Sequence, residues 1–309
     1  PERPMPRMPA KRPPRAAKAL PPALAAEMSA LLGLLKSGRA AEAEARATAA
    51  LSRAPRAAPL ALALAEAQVA QGKHAPALAS YRTALRLDPK LIGALNGLGR
   101  LLLDTGEPAA ALAPLRAAKK IDPAMPLARG NLGLALARLG QREAAIAELR
   151  AAVAREPRLL EAQLALAAEL VANRQPEEAE AVLRASLAHV PPGPARANVL
   201  ARLAEALSRQ GRDEEARAQF DAAIAMAPGL AQLYSLRGIF LQKLGDFESA
   251  EADFRAAIAR EPENGEHYRT FLASHRLSPG DPLIAEMEAR FADPALSDHN
   301  RMQLGFALA

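Results

Sequence analysis

The titratable side chains of this sequence do not form the patterns that enzymes use for catalysis or metal binding. No two histidines stand four residues apart, as zinc-binding pairs on a helix do; they are His74, His189, His267, His275 and His299. The chain has no cysteine, which excludes a disulfide scaffold, a zinc ribbon and a cysteine nucleophile. Acidic pairs such as Glu177-Glu178 could act as general acid and base, but they fall where helices are expected to begin and complement the helix dipole there. The sequence therefore predicts no catalytic residue, no metal site and no cofactor.

The positive charge is concentrated at the N-terminus. Residues 1–23 hold six basic residues and one acidic residue, whereas the rest of the chain holds 34 basic and 33 acidic residues. Prolines interrupt this segment, so we expect residues 1–23 to form a disordered, Pro-rich basic tail. The alternatives are a secretory leader, which the prolines and Glu27 disfavour, and an arm that contacts an acidic partner. The nearly neutral remainder argues against nucleic-acid binding. No run of roughly 18 apolar residues predicts a membrane span, and we expect a cytoplasmic protein.

Prolines recur along the chain at a nearly constant interval. The spacings are 34, 34, 34, 34, 37 and 34 residues, between Pro55, Pro89, Pro123, Pro157, Pro191, Pro228 and Pro262. A glycine stands seventeen residues before each of these prolines except the fifth, where Arg174 replaces it. Because glycine ends helices at positive φ and proline disfavours helix for the residue before it, each period predicts two helices joined by a turn. We expect the three extra residues near PPGP (191–194) to lie in an inter-repeat loop.

The repeat resembles the tetratricopeptide repeat (TPR) family, whose unit of 34 residues is a pair of antiparallel helices. The first small position of the family motif falls on Gly99, Gly133 and Gly238. The resemblance implies an all-α fold, a right-handed α–α superhelix (TPR solenoid) of about seven helix pairs with an irregular helical C-terminal cap. The expected division is a tail at 1–23, a cap at 265–309 and, between them, units at 24–57, 58–91, 92–125, 126–159, 160–196, 197–230 and 231–264.

In the TPR family the first helix of each pair lines a concave groove that holds partners. The resemblance places these residues in the groove: Leu62, Glu66, Asn96, Arg100, Asn131, Leu134, Arg138, Leu164, Glu205, Arg209, Gln242 and Lys243. Asn96, Arg100 and Asn131 form the sharpest cluster, since amides pair with a peptide backbone and a guanidinium pairs with a carboxylate. The alternative is that they are ordinary solvated residues. The family's carboxylate clamp is not matched, because Glu161 and Ala165 stand where it needs basic residues. The groove is expected to suit an amphipathic helix or an extended peptide.

The period fails after Pro262. We expect a helix at 266–277, a second helix begun by Asp281-Pro282, and a last helix capped by Ser297 that runs to Ala309. Residues 266–309 are similar to the connector of bacterial TPR proteins that carry a sulfotransferase domain, although that enzyme's phosphosulfate-binding loop has no match here.

The sequence thus predicts a non-catalytic protein–protein interaction scaffold that binds a peptide or a partner protein in the concave groove. The alternative is the substrate-engaging module of a bacterial TPR–sulfotransferase whose catalytic domain is absent from this chain.

Overall fold

A computed structural model describes residues 21–273, 275–278 and 280–309, and these residues form seventeen α-helices and no strand. Their contacts divide the chain into two units, and the boundary along the chain falls in the fifth helix, between Leu101 and Leu102. In chain order the helices are α1 (Pro22–Lys36), α2 (Ala40–Arg53), α3 (Ala58–Val69), α4 (His74–Leu87), α5 (Ile92–Asp104), α6 (Pro108–Ile121), α7 (Pro126–Arg138), α8 (Arg142–Arg155), α9 (Leu160–Ala172), α10 (Pro176–Leu187), α11 (Pro194–Arg209), α12 (Asp213–Met226), α13 (Ala231–Lys243), α14 (Phe247–Arg260), α15 (Gly265–Leu272), α16 (Pro282–Ala292) and α17 (Asp298–Leu308).

Consecutive helices pack as pairs because a small residue on the first helix receives a large residue of the second. In the α7–α8 pair, a Cβ added to Gly133 would lie only 2.5 Å from Cγ of Leu149, which is fully buried. In the α13–α14 pair, a Cβ on Gly238 would lie 2.9 Å from the ring of Phe254, which is buried too. Such close approach is open only to glycine. The predicted all-α helical repeat superhelix is confirmed.

The turn within a pair requires one residue of left-handed backbone. Gly140, between α7 and α8, has a φ of 71°. In the fifth repeat the same conformation falls on Arg174, with a φ of 59°. Its Cβ makes that conformation costly for an L-residue, so this turn stores strain that the glycine turns do not.

The three extra residues expected in the loop near PPGP are only partly placed there. The loop before α11, residues 188–193, is longer than the corresponding loop at 156–159, but α11 is also longer than the other first helices. α11 begins at Pro194 and has 16 residues, where α7, α9 and α13 have 13. Gly193, with a φ of 137°, turns the chain into this additional helical turn. Proline at the first helical position gives up no hydrogen bond and already has a helical φ, so Pro194 starts the helix early.

The two ends of the chain also differ from expectation. Most of the expected tail, residues 1–20, lies outside the described residues, and α1 begins at Pro22, inside the expected segment 1–23. The helix expected at 266–277 ends at Leu272. Beyond it, the ring of His275 stacks on Phe271 with their centroids 4.7 Å apart, and its Nε2 lies 3.6 Å from a carboxylate oxygen of Glu251. These two contacts take the chain out of the helical path.

The last three helices, α15, α16 and α17, form a cap. α16 and α17 begin at the capping residues that the sequence predicts. Asp281 accepts a hydrogen bond of 2.9 Å from the N–H of Leu283, and Ser297 accepts one of 3.3 Å from the N–H of Asn300. α17 packs against α15 and α16, and Leu304 is its fully buried residue. Capping compensates short helices such as these for their few internal bonds.

A polar latch ties the turn of one repeat to the second helix of the repeat before it. In the first unit, Nε2 of Gln71 lies 2.9 Å and Nζ of Lys73 lies 2.6 Å from a carboxylate oxygen of Glu44. The hydrogen bonds from Lys73 and then Gln71 lower the pKa of the Glu44 carboxyl. The same latch recurs in the second unit, in Gln210, Arg212 and Glu180.

Candidate partner-binding surface

The predicted groove residues lie on the first helices of their pairs. In the first unit they are Leu62 and Glu66 on α3, with Asn96 and Arg100 on α5. In the second unit they are Asn131, Leu134 and Arg138 on α7, Leu164 on α9, Glu205 and Arg209 on α11, and Gln242 and Lys243 on α13.

In the first unit, Glu66 is part of the packing between helices. Its carboxylate accepts a hydrogen bond of 2.8 Å from the hydroxyl of Tyr81, and the Tyr81 ring fills the space beside Gly97. Burial raises the pKa of Glu66 and also the pKa of Tyr81. Leu62 packs against Gly93 of α5, while Asn96 and Arg100 are half-buried. Glu66 therefore positions Tyr81 and is not a freely exposed acid.

On α7, the three predicted residues have three different environments. Asn131 is buried, with 7% of its surface exposed, and Leu134 is half-buried. Arg138 is exposed and donates a hydrogen bond to the backbone carbonyl of Leu103. Among these three, the most accessible polar group is already engaged with the preceding repeat.

A cavity of about 320 Å³ in the second unit brings together Glu205, Arg209 and Lys243. We call it the α11–α13 cavity. Ser208 completes its polar rim, and its apolar lining is Val171, Phe220, Leu236, Ile239 and Phe240.

The floor of the α11–α13 cavity is aromatic and aliphatic. The rings of Phe220 and Phe240 lie 5.3 Å apart, centroid to centroid, and both are almost fully buried. Ile239 is 47% exposed, so it offers apolar surface to a partner at this cavity. Sequence reasoning missed this residue; its position four residues before Lys243 on the same helix face was the available signal.

The charges of the rim are unequally compensated. Lys243 donates to the carbonyl of Ser208 at 2.7 Å and reaches Asp213 at 3.0 Å, so its charge is matched. Glu205 accepts from Arg202 at 2.7 Å. Within the described part of the chain, Arg209 makes no hydrogen bond or ion pair and is exposed. Arg209 is therefore the uncompensated cation of the rim.

A second polar cluster lies beside the cap and is closed to substrates. Oγ of Ser235 is 2.8 Å from Nδ1 of His267, and Nε2 of the same ring is 3.1 Å from a carboxylate oxygen of Glu261. A serine, a histidine and a glutamate joined by hydrogen bonds could form a nucleophilic triad. Ser235 and His267, however, are only 8% and 5% exposed. We interpret the chain of bonds as a link that holds α15 on α13.

The residues that the structure describes contain no group of three or more histidine, aspartate or glutamate side chains placed to hold a metal ion. None of their helices is both long and apolar enough to cross a bilayer.

Comparisons with known proteins identify the repeat. Two sequence profiles of the tetratricopeptide repeat match the chain, one at residues 28–92, 93–126 and 164–231, the other at 128–158 and 231–264. No curated protein matches the chain significantly. The profile matches end at residue 264, so the resemblance of residues 266–309 to a sulfotransferase connector stays a prediction.

Solved structures share the fold at low identity. A tetratricopeptide repeat protein from Parabacteroides merdae is 21% identical with a TM-score of 0.62, over 80% of this chain and 96% of its own. A match in the Cut9–Hcn1 assembly of the APC/C is 16% identical with a TM-score of 0.64, over 78% of this chain and 47% of its own. YrrB, described as a TPR protein with an unusual peptide-binding site, is 22% identical with a TM-score of 0.50, over 59% of this chain and 92% of its own.

Proposed function

Because the chain belongs to the tetratricopeptide repeat family, we propose that it is a protein-interaction scaffold and that the α11–α13 cavity holds a peptide segment of its partner. The family and its fold support a protein or peptide partner in general. The observation that carries the specific site is the exposed apolar surface of Ile239 at the mouth of a hollow floored by Phe240. No reaction is part of the proposal.

The energetics favour an apolar side chain of the partner as the anchor. Removing apolar surface from water contributes roughly 25 cal/mol per Å², so full burial of one large side chain contributes about 1.5–3 kcal/mol. A concave site also surrounds the anchor with contacts on several sides, which is the arrangement found at binding hot spots. A partner side chain that lies between α11 and α13 would gain the free energy of apolar burial and also the contacts on several sides.

A peptide fits this surface better than a nucleic acid does. The rim carries one uncompensated cation, Arg209, and the chain outside residues 1–23 is close to neutral. Nucleic-acid binding depends on many cations that neutralise successive phosphates. YrrB, which has the same fold, supports the proposal by analogy because it has a peptide-binding site.

The test is a selection of displayed peptides on the full chain, followed by affinity measurement of the selected peptide by fluorescence anisotropy. We expect Ile239→Asp to weaken that peptide at least tenfold, because the substitution replaces an apolar contact with a charge. Phe247→Asp is the matched control, since Phe247 is 64% exposed and lies outside the cavity. Equal affinities for the wild type and Ile239→Asp would contradict the assignment of the site.

The remaining groove residues define a second, separate experiment. We propose that the α5 surface, with Asn96 and Arg100, is a separate contact surface of the first unit for a protein partner. Arg100→Glu should then weaken a full-length partner without affecting a short peptide that fills only the α11–α13 cavity. Unchanged binding of the full-length partner would remove α5 from the interface.

A further inference from the structure

The uncompensated cation lines the same cavity as Ile239, the most exposed apolar residue of the α11–α13 cavity. Arg209 and Ile239 both line the cavity, on the adjacent first helices α11 and α13. Glu205 is one helical turn before Arg209 and would be its natural partner, yet Glu205 pairs with Arg202 at 2.7 Å instead. Lys243, the other cation of the rim, is held by Ser208 and Asp213. The guanidinium of Arg209 is thus left for a group from outside.

We infer that the cavity selects peptides in which a large apolar side chain is flanked by a carboxylate. The apolar side chain enters the hollow over Phe240, and the carboxylate accepts the forked N–H groups of Arg209. This inference rests on the proposed function and adds the chemistry of the ligand to it. A basic peptide of the same apolar content is rejected, because the uncompensated charge of Arg209 repels it.

The carboxylate has two sources, an acidic side chain or the C-terminus of the peptide. Both present the same pair of oxygens to a guanidinium. Two modified forms of the selected peptide separate them: one with its C-terminus amidated, and one with its acidic side chain changed to the corresponding amide. The form that loses affinity identifies the source.

The experiment runs the peptide selection in parallel on the wild type, Arg209→Glu and Arg116→Glu. Arg116 is the matched control, because it is an exposed arginine of the second unit without a hydrogen bond or ion pair to the described residues, and it lies outside the cavity. We expect carboxylates beside the apolar anchor in peptides selected by the wild type and by Arg116→Glu, and lysine or arginine beside it in peptides selected by Arg209→Glu. The wild-type peptide should bind Arg209→Glu about tenfold more weakly, with a difference that shrinks as salt is added.

Fluorescence can test directly whether the apolar side chain of the peptide is buried on binding. The chain has no tryptophan, so a tryptophan placed at the anchor position of the selected peptide is observed without background. Its emission should shift to shorter wavelength on binding to the wild type and to Arg116→Glu.

The outcomes separate the two levels of the proposal. This inference is overturned if the selected peptides lose affinity for Ile239→Asp but carry no preferred carboxylate. It is also overturned if Arg209→Glu and the wild type select the same peptides. Either result leaves the proposed function standing. If no selected peptide depends on Ile239, the proposed function fails and this inference fails with it.

Discussion

Gly265 is the point at which a single methyl group should push apart two helices of the cap, α15 and α17. It is the first residue of α15 and lies directly against α17. A Cβ at this position would be 2.9 Å from Cβ of Gln303 and 3.0 Å from the backbone nitrogen of Leu304, and nearer still to the backbone oxygen of Asn300. Backbone atoms cannot rotate away as the end of a side chain can, so in Gly265→Ala the whole of α17 has to move.

The cost of this substitution has an upper limit. Overpacking of a well-packed site costs about 1–3 kcal/mol. The alternative for the molecule is to release α17, which exposes the fully buried Leu304 and costs about 1.5–3 kcal/mol. Both routes give a loss of about 1–3 kcal/mol, confined to the contact between α15 and α17.

Hydrogen exchange measured by mass spectrometry is the suitable assay, because repeat proteins unfold in parts and a single transition would average over them. Backbone amides of residues 298–308 should exchange roughly 5- to 150-fold faster in Gly265→Ala than in the wild type, the factor that corresponds to about 1–3 kcal/mol. Gly33→Ala is the control: a Cβ there meets nothing within 4 Å, and alanine should stabilise α1 by about 0.5–1 kcal/mol. Wild-type exchange across residues 298–308 in Gly265→Ala would refute the reasoning about the contact.

Three further predictions concern strain, a buried ion pair and acid sensitivity. Arg174→Gly should stabilise the fifth repeat by about 0.5–1 kcal/mol in thermal unfolding, because glycine relieves the left-handed strain at this turn; a loss of stability would contradict this. Arg237 donates to both carboxylate oxygens of the buried Asp253, at 2.7 and 2.8 Å, so Arg237→Leu should cost about 3–5 kcal/mol and the double substitution to leucine should recover most of it. Additive costs in that double-mutant cycle would disprove the pairing. Asn264 and then His267 lower the pKa of Glu261 from 4.5. This carboxylate therefore stabilises the fold above pH 4.5 and loses that effect as the pH falls through its folded pKa; Glu261→Gln should flatten the acid dependence of exchange in α15, and an unchanged profile would exclude Glu261 as its source.

The helix pairs could be predicted because the signals that end helices are local. A glycine at positive φ and the restriction that proline places on its neighbour act within a few residues of chain, so a regular spacing of both indicates each turn. The extension of α11 was not predictable in this way. The sequence PPGP is compatible with a longer loop and also with an early helix start, and only the packing of α11 on its neighbours decides between them.

The site was predicted less completely because it depends on contacts that are distant in the sequence. Arg209 and Lys243 could be placed on helix faces, but the pairing of Glu205 with Arg202 and of Lys243 with Asp213 decides which cation stays uncompensated. Ile239 looks like an ordinary core residue in the sequence, and only the assembled α11 and α13 leave it at the mouth of a hollow. The early end of α15 has the same origin, since His275 leaves the helix to meet Phe271 and Glu251.

The latches of Glu44 with Lys73 and of Glu180 with Arg212 imply a way to adjust mechanical compliance. Each ion pair is partly exposed and such pairs contribute little to stability. Dissolved ions therefore weaken them without opening the apolar packing between the helices. Within each unit, the latched repeats should therefore gain torsional freedom as ionic strength rises, without unfolding. We therefore expect the latched repeats of each unit to be stiffer at low ionic strength than at high ionic strength.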